Sequence, residues 1–327
     1  MFENIIIKDG NKKILRNAIH HHQLSHCYMF IGPEGTYKTK TAIAFIKGIL
    51  CKSHSDTKPC DCCTSCHKIN HKNHPDILWV SPIDNSIKIS QIREMQRVMK
   101  IKPYESSLKI FIVDHCETMG LPAQNALLKS LEEPNKSVMI ILLCKSKDKI
   151  IPTILSRCQR LTFNPASKND FYNYMKEFGV DENELKEYYT VTQGCLGKVE
   201  MLLDDPDTLK RFVLMKGYIN RIFQGETQEI FALSKWIKDA KYPPLEITSY
   251  IIIILRDLLY DIIISGDSHN NITHKLSCHV IHDIIINMVE IQSSLTNNIN
   301  LQVQVERVLL KIQEEITIYD KGSWNTI

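Results

Sequence analysis

The sequence predicts an α/β fold in which a parallel sheet covered by helices is followed by an all-helical second half. Two observations lead to this prediction. In the first half of the chain, short and almost continuously apolar runs alternate with helical patterns, as is typical of buried parallel strands and the helices that connect them. After the segment 161–167 every recognisable pattern is helical, to the end of the printed sequence.

Length and composition limit the classes of protein to consider. The chain has 327 residues, more than one ordinary core holds, so we expect two or three domains. Its 43% hydrophobic and 24% charged residues are typical of a soluble globular protein. A formal net charge of +3 is too small to favour a free-standing nucleic-acid binder.

No export or membrane signal is recognisable. The polar residues between Asn4 and Asp9 interrupt any apolar run near the start. The most hydrophobic window, 250–264, contains three charged residues and is predicted to be a buried helix rather than a membrane span. Five of the eleven cysteines crowd between Cys51 and Cys66, which favours metal binding over disulfides. We therefore expect a protein of the reducing cytoplasm.

The individual elements follow from these patterns. Four buried strands are predicted, at 27–31, 76–80, 109–114 and 138–144. Helices are expected between them at 38–50, at 90–100 with Ser90 as the N-cap, and at 122–131. Three further helices, at 168–178, 182–192 and 196–203, are expected to form a compact unit, and about five longer amphipathic helices follow. The run His20 to His22 is interpreted as a solvated helix end.

The stretch GPEGTYKT, Gly32 to Thr39, has the outline of the phosphate-binding loop G-x-x-x-x-G-K-[ST]. A predicted strand precedes it and a predicted helix follows it, as such a loop requires. Lys38 and Thr39 are present, but Tyr37 stands where the second glycine belongs. That glycine exists because the backbone approaches the nucleotide closely, so the loop is degenerate.

A second defect concerns the acidic residues that hydrolysis needs. Asp114 ends the third predicted strand, where a nucleotide hydrolase carries two carboxylates, but the next residue is His115. Neutral imidazole lacks the fixed negative charge that orients water, so we expect no intrinsic ATPase. The degenerate nucleotide site is predicted to comprise Gly32, Gly35, Lys38, Thr39 and Asp114. The surviving lysine and threonine leave residual binding of ATP or ADP open.

Four cysteines have the spacing of a metal site. Cys51, Cys60, Cys63 and Cys66 form the pattern C-x8-C-x2-C-x2-C. Four thiolates complete a tetrahedral Zn²⁺ site with no open position for a substrate, so a structural zinc ion is predicted. Two alternatives remain open: Cys62 in place of Cys60 or Cys63, and His67 in place of one sulfur.

Three segments closely resemble the clamp-loader branch of the AAA+ proteins: 87–99 (IKISQIREMQRVM), 122–134 (PAQNALLKSLEEP) and 150–161 (IIPTILSRCQRL). This branch includes subunits of bacterial DNA polymerase III, and the resemblance covers roughly residues 10–205, with the cysteine spacing included. It implies a RecA-like AAA+ parallel-sheet domain at 1–164 with a zinc module at 51–66, a three-helix lid at 165–206, and an all-α collar at 207–327 that joins subunits into a ring.

The departures from the family pattern point to one group within that branch. The gamma/tau subunits carry an intact loop and an acidic pair, whereas delta-prime subunits are often degenerate. Tyr37 and His115 depart from the working pattern, and Gly197 stands where the motor subunits place a phosphate-contacting arginine. The resemblance therefore implies a non-hydrolysing, delta-prime-like subunit. The alternative is a gamma/tau-like subunit that hydrolyses ATP, with Glu117 in place of the missing carboxylate.

The resemblance also implies a role for Arg157 in the SRC motif. By that resemblance it projects into the ATP site of a neighbouring subunit as an arginine finger supplied in trans. Without the motif, Arg157 would be interpreted as an ordinary surface arginine. The implied partners are the gamma/tau ATPase subunits and the delta subunit, and, through the complex, the sliding clamp and primer-template DNA. No membrane partner is expected.

Overall fold

The computed structural model describes residues 2, 5–53, 59–239, 242–265, 278–295 and 300–322. The chain divides into two compact units. The first comprises Met1–Asn173 and Gly194–Glu200, and the second comprises Tyr174–Gln193 and Met201–Ile327. The boundaries of a separate lid at 165–206 stay a prediction.

A parallel five-stranded sheet forms the centre of the first unit. Its strands are β1 (Cys27–Ile31), β2 (Ile77–Val80), β3 (Lys109–Val113), β4 (Val138–Cys144) and β5 (Gln159–Thr162). They lie in the order β2-β3-β4-β1-β5, and every pair is parallel. Since parallel strands end at the same edge of a sheet, the segments that follow β1, β3 and β4 lie together there.

The sheet separates two apolar cores because side chains alternate along each strand. On β3, Ile110 and Ile112 face one core, and Phe111 and Val113 face the other. This double burial explains why the strands read as continuous apolar runs. The four predicted strands are confirmed within one residue at each end.

The strand β5 is not among the predicted strands, and its mostly polar sequence explains why. It pairs with β1 from Tyr28 opposite Gln159 to Ile31 opposite Thr162. Of its four residues only Leu161 is buried. Because the other three residues are polar, β5 gives no apolar run, and its pairing is visible only in the folded structure.

In the described part of the first unit, six helices lie entirely within the unit, with a short 3-10 turn at Cys116–Thr118. They are α1 (Asp9–His20), α2 (Lys38–Leu50), α3 (Thr64–Asn70), α4 (Ile89–Met99), α5 (Leu121–Glu132) and α6 (Pro152–Leu155). The predicted helices at 38–50, 90–100 and 122–131 are confirmed within one residue. The solvated helix end is also confirmed, since α1 ends at His20 and the three histidines are exposed.

The predicted N-cap of α4 is wrong. Ser90 lies inside the helix, and the capping position is held by Lys88. The backbone of Lys88 is extended, and its N–H donates a hydrogen bond to Oε1 of Gln91 at 2.8 Å. The glutamine side chain therefore satisfies the first turn from within the helix, as in the second half of a capping box.

The second half of the chain is helical throughout the described residues, as predicted. Its helices are α7 (Lys168–Lys176), α8 (Glu182–Thr192), α9 (Leu196–Asp204), α10 (Pro206–Phe223), α11 (Gln228–Asp239), α12 (Pro244–Ser265), α13 (Cys278–Ser294) and α14 (Leu301–Gly322). Two helices cross the boundary between the compact units, α7 after Asn173 and α9 after Glu200.

The most hydrophobic window is only partly buried. Its first half, from Tyr250 to Leu255, packs against α10 and α13. Farther along α12, Tyr260 is 62% exposed and Ile263 is 64% exposed, so the predicted buried helix is buried only in its first half. None of the helices in the described part of the chain combines the length and apolar character that crossing a bilayer requires.

Candidate functional site

The degenerate loop, residues 32–37, leads from β1 into α2 at the carboxyl edge of the sheet. The N–H of Gly32 donates to the carbonyl oxygen of Cys144 at 3.1 Å, which fixes the start of the loop against β4. Gly35 has a φ of +82°, in the left-handed region that favours glycine. The sequence thus produces the strand-loop-helix backbone of a phosphate site.

The first turn of α9 lies directly on this loop. The N–H of Gly197 donates to the carbonyl oxygen of Gly35 at 2.8 Å. A Cβ atom at position 197 would lie 2.9 Å from that oxygen and 3.1 Å from Cα of Gly35, so no larger residue fits without displacement. Gly197, predicted as the site of a missing arginine, therefore allows backbone contact between α9 and the loop.

Tyr37 adopts the left-handed conformation expected of the absent glycine. Its φ is 62° and its ψ is 19°, and its side chain is 7% exposed. The hydroxyl donates to Oε1 of Glu200 at 2.9 Å. Lys40 forms an ion pair with Glu200, and its Nζ atom lies 4.8 Å from the centre of the Tyr37 ring. Two charged side chains thus hold the ring in place.

Lys38 is turned back onto the loop. Its Nζ atom donates to the carbonyl oxygens of Gly32 at 2.6 Å and Pro33 at 2.7 Å. Burial lowers the pKa of Lys38 because desolvation disfavours the charged form. The amine that a working loop directs at phosphate is therefore occupied by the loop itself.

A cleft of about 280 Å³ opens beside the loop. Its lining residues are Glu34, Gly35, Tyr37, Lys38, Thr39, Lys40, Asp114, His115, Leu143, Cys144 and Lys145. The structure thus brings Gly35, Lys38, Thr39 and Asp114 to one cleft, with Gly32 at the base of the loop. Glu34 pairs with Lys145 at 3.0 Å, and this hydrogen bond lowers the pKa of Glu34.

The residue next to Asp114 is His115 rather than a second carboxylate. His115 has a φ of 50°, and its N–H donates to Oδ1 of Asp114 at 3.0 Å. Its Nδ1 atom lies 3.4 Å from Oε1 of Glu117. Glu117 is not among the described residues that line the cleft. One oxygen of its carboxylate therefore faces His115.

Arg157 lies just after α6 and outside this cleft. One guanidinium nitrogen donates to the carbonyl oxygen of Thr153 at 3.0 Å, and another lies 3.0 Å from Oε1 of Glu132. The Arg157 side chain is 36% exposed and that of Glu132 is 49% exposed. Such an exposed pair contributes at most about 1 kcal/mol, so the guanidinium is readily released.

The four cysteines predicted as ligands form one cluster. The Sγ atoms of Cys51, Cys60, Cys63 and Cys66 all lie within 4.8 Å of one another, an arrangement that could hold a metal ion. Cys51 follows α2, and Cys63 caps the N-terminus of α3. The N–H groups of Cys62 and Cys63 lower the pKa of Cys60 to about 6, which favours the thiolate that binds metal.

The alternative ligands lie outside that cluster. The thiol of Cys62 is exposed, and so is the side chain of His67. The backbone carbonyl of His67 accepts hydrogen bonds from His71, as expected for a residue at a helix end. The geometry therefore favours the set of four cysteines over either substitution.

Two residues of the site are not predicted from the sequence. Glu200 and Lys40 hold Tyr37 in place, and the contacts of Glu200 with Tyr37 and Lys40 join positions 163 and 160 residues apart. No short motif contains such a contact. The only signal near Glu200 is the replacement of an expected arginine by Gly197, three residues earlier.

Comparisons with known proteins show similarity to subunits of DNA polymerase III. A family model described as DNA polymerase III, delta subunit matches residues 7–167. The chain is 29% identical over 315 residues to DNA polymerase III subunit delta' of Bacillus subtilis strain 168, and this alignment covers 92% of the chain and 95% of that relative. It is 27% identical over 281 residues to subunit tau of the same organism, covering 79% of this chain and 50% of tau.

A solved structure supports the fold. The DNA polymerase III gamma subunit-related protein of Thermotoga maritima has a TM-score of 0.52 and 19% sequence identity to the chain. The match covers 92% of this chain and 99% of that protein. Together with the parallel five-stranded sheet, it confirms the predicted α/β fold.

Proposed function

We propose that the chain is a member of the clamp-loader family of DNA polymerase III and, within it, a delta-prime-like subunit that hydrolyses no ATP itself. In this proposal it organises the ring of subunits and supplies Arg157 to the ATP site of a neighbouring gamma/tau-like subunit. The complex then loads the sliding clamp on primed DNA. The observation that carries the proposal is the contact of α9 with the loop.

This contact engages the groups that a nucleotide would need. The N–H of Gly197 donates to the carbonyl oxygen of Gly35. The amine of Lys38 donates to the carbonyl oxygen of Gly32 within the loop, and the hydroxyl of Tyr37 donates to Glu200. The residues present therefore do not fit ATP in the arrangement that hydrolysis requires.

The energetic cost of opening the cleft supports the same conclusion. Breaking the hydrogen bond between Tyr37 and the charged side chain of Glu200 costs about 1.5 to 3 kcal/mol. Each 1.4 kcal/mol weakens binding by about a factor of ten. A nucleotide that overcame this cost would still meet one carboxylate where hydrolysis needs two.

Arg157 is suited to act on a neighbouring subunit. Its contacts with Glu132 and Thr153 hold the guanidinium near the surface at little energetic cost. An arginine supplied in trans to a phosphoryl-transfer site increases the rate by about 10³ to 10⁵. Because the gain far exceeds the cost of release, Arg157 can exchange Glu132 for the phosphate of the neighbouring site.

We assign a structural Zn²⁺ ion to the cluster of Cys51, Cys60, Cys63 and Cys66. Four thiolates match the preference of Zn²⁺ for tetrahedral sulfur ligands. When bound, the ion ties the end of α2 to the start of α3. Its contribution is to folding, because a closed four-thiolate site leaves no position for chemistry.

Nucleotide binding to the isolated chain tests the proposal. We expect calorimetric titration with Mg-ATP or Mg-ADP to show no binding at micromolar concentrations, and the purified chain to show no ATP turnover. The Lys38→Ala variant serves as the control, and it should behave like the wild type. Turnover by the wild-type chain that Lys38→Ala abolishes would instead establish the gamma/tau-like alternative.

A further inference from the structure

Two buried thiols, Cys27 and Cys158, lie in contact, and Cys158 is the residue directly after Arg157. Neither belongs to the metal-binding cluster. The Sγ atoms of Cys27 and Cys158 are 2.9 Å apart. Cys27 is fully buried at the start of β1, and Cys158 is 9% exposed directly before β5. No part of the function proposed above uses this pair.

The strand register explains why the thiols meet and shows that they can be joined. Tyr28 lies opposite Gln159 in the parallel pairing of β1 with β5, so Cys27 and Cys158 are the next positions back along the same ladder. Neighbouring strands lie about 4.7 to 4.9 Å apart, within the Cα separation of about 4.4 to 6.8 Å that disulfides span. Equivalent positions also direct their side chains to the same face.

We propose that Cys27 and Cys158 are an oxidisable thiol pair that a peroxide converts to an intrachain disulfide, which ties β1 to the segment that carries Arg157. In the first step the Cys158 thiolate attacks one peroxide oxygen, giving a sulfenic acid and releasing water or an alcohol. In the second step the Cys27 sulfur displaces water from that sulfenic acid. Two thiols are oxidised, and one peroxide is reduced.

The order of these steps follows from the surroundings of the two sulfurs. Burial raises the pKa of the Cys27 thiol well above its usual value, so Cys27 is a poor first nucleophile. Cys158 is the more exposed of the two and is therefore the thiol that a small peroxide reaches first. Its sulfenic acid then forms within contact distance of Cys27, so the second step requires no rearrangement of the strands.

A different disulfide could in principle form through Cys116, another thiol in the same core. Cys116 is buried on the same side of the sheet, and its hydrogen bond with Cys144 raises its pKa well above the usual value. Cys116 is fully buried, and Cys144 is 1% exposed. The proposal therefore predicts a specific linkage, Cys27 to Cys158, rather than a mixture of linkages among the four thiols.

The consequence for function rests on the proposal that Arg157 acts in trans. Arg157 must leave Glu132 and the carbonyl of Thr153 to reach a neighbouring site. A disulfide at the next residue fixes the backbone there to β1 and restricts that movement. Oxidation should then lower the ATPase activity of the assembled complex, and reduction should restore it.

Peptide mapping tests the disulfide without reference to function. The full chain is treated with hydrogen peroxide, blocked with an alkylating reagent and digested with trypsin. Cleavage after Arg16, Lys38, Arg157 and Arg160 places the two thiols in peptides 17–38 and 158–160. We expect these two peptides to appear as one linked species that a reductant separates. Linkage of Cys116 to Cys144 or Cys158 instead, or no linkage involving Cys27, would overturn the proposal.

Activity of the reconstituted complex tests the consequence. We expect peroxide to remove the ATPase stimulation contributed by the wild-type chain and a dithiol reductant to restore it. The Cys27→Ser variant retains the metal-binding cysteines, so its response to peroxide measures any effect of oxidising those cysteines. We expect this variant to keep its stimulation of the ATPase activity after peroxide treatment. If the wild-type chain carries the disulfide and the ATPase activity of the complex is undiminished, the proposal that the disulfide restricts Arg157 is refuted. If Arg157→Ala leaves the ATPase activity unchanged before any oxidation, only the trans role of Arg157 is refuted.

Discussion

At the scale of single residues, Tyr37 departs most clearly from a working phosphate loop. A left-handed backbone costs a residue with a Cβ atom roughly 1 to 2 kcal/mol, which glycine avoids. Tyr37 offsets this cost with a buried ring and a hydrogen bond to Glu200. The backbone conformation of the loop is thus retained, while the side chain lines the cleft.

At Asp76, directly before β2, an unfavourable burial is likewise offset by hydrogen bonds. Burial opposes ionisation of this residue, but N–H groups of Tyr104 and Glu105, together with Ser106, outweigh that effect and lower the pKa of Asp76. The hydroxyl of Ser106 donates to the same carboxylate at 2.7 Å. The ionised side chain therefore fixes the connection between α4 and β3.

The pH dependence of stability tests this role. A lowered pKa in the folded state means that the Asp76 contribution is complete above about pH 4 and is lost as the pH falls through the folded-state value. We expect Asp76→Asn to lower the free energy of unfolding by about 2 to 3 kcal/mol at pH 7, since an amide cannot accept all the N–H donors. Urea denaturation should show a smaller loss between pH 5 and pH 3 for the variant than for the wild type. Equal losses would mean that Asp76 does not contribute to acid sensitivity.

At the scale of elements, the sequence predicts the sheet better than the site. Buried strands such as β4 leave continuous apolar runs, and helices such as α2 leave a clear period, so their bounds are predictable. β5 and the contact between α9 and the loop leave no local pattern, because each depends on residues far apart in the chain. The sequence indicates Gly197 only as a missing arginine, whereas the structure shows it as the point of contact.

The contact between α9 and the loop can be weakened by one methyl group. In Gly197→Ala the new Cβ atom would lie 2.9 Å from the backbone oxygen of Gly35, so α9 must shift. We expect the free energy of unfolding to fall by about 1 to 3 kcal/mol. The matched control is Gly10→Ala in α1, where nothing lies within 4 Å of the added atom. That variant should be neutral or slightly stabilised, and equal effects in both would argue against a contact at Gly197.

The cysteine cluster makes a second prediction at this scale. The purified chain should contain one zinc ion, and Cys63→Ser should lose it together with thermal stability of the first unit. Cys62→Ser is the matched control, since that exposed thiol lies outside the cluster, and it should keep both. Elemental analysis and thermal melts provide the measurements. A well-folded chain without metal, or zinc loss from Cys62→Ser, would contradict the assignment.

At the scale of the whole molecule, the degenerate cleft and Arg157 are two separate features of the chain. Its own cleft keeps the backbone of a phosphate loop, but Lys38 and Tyr37 are held by internal contacts. Arg157 lies outside that cleft, in a weak surface pair from which it can be released. In the proposed account, the molecule completes the active site of another subunit and has none of its own.

ATP hydrolysis by the reconstituted complex in a single-turnover experiment tests this account most directly. With Arg157→Ala in place of the wild-type chain, the rate at the site that this arginine serves should fall by about 10³ or more, while assembly of the complex is unchanged. Arg160→Ala, which removes an exposed arginine three residues away, should have no such effect. Undiminished hydrolysis by a complex that contains Arg157→Ala would contradict the account.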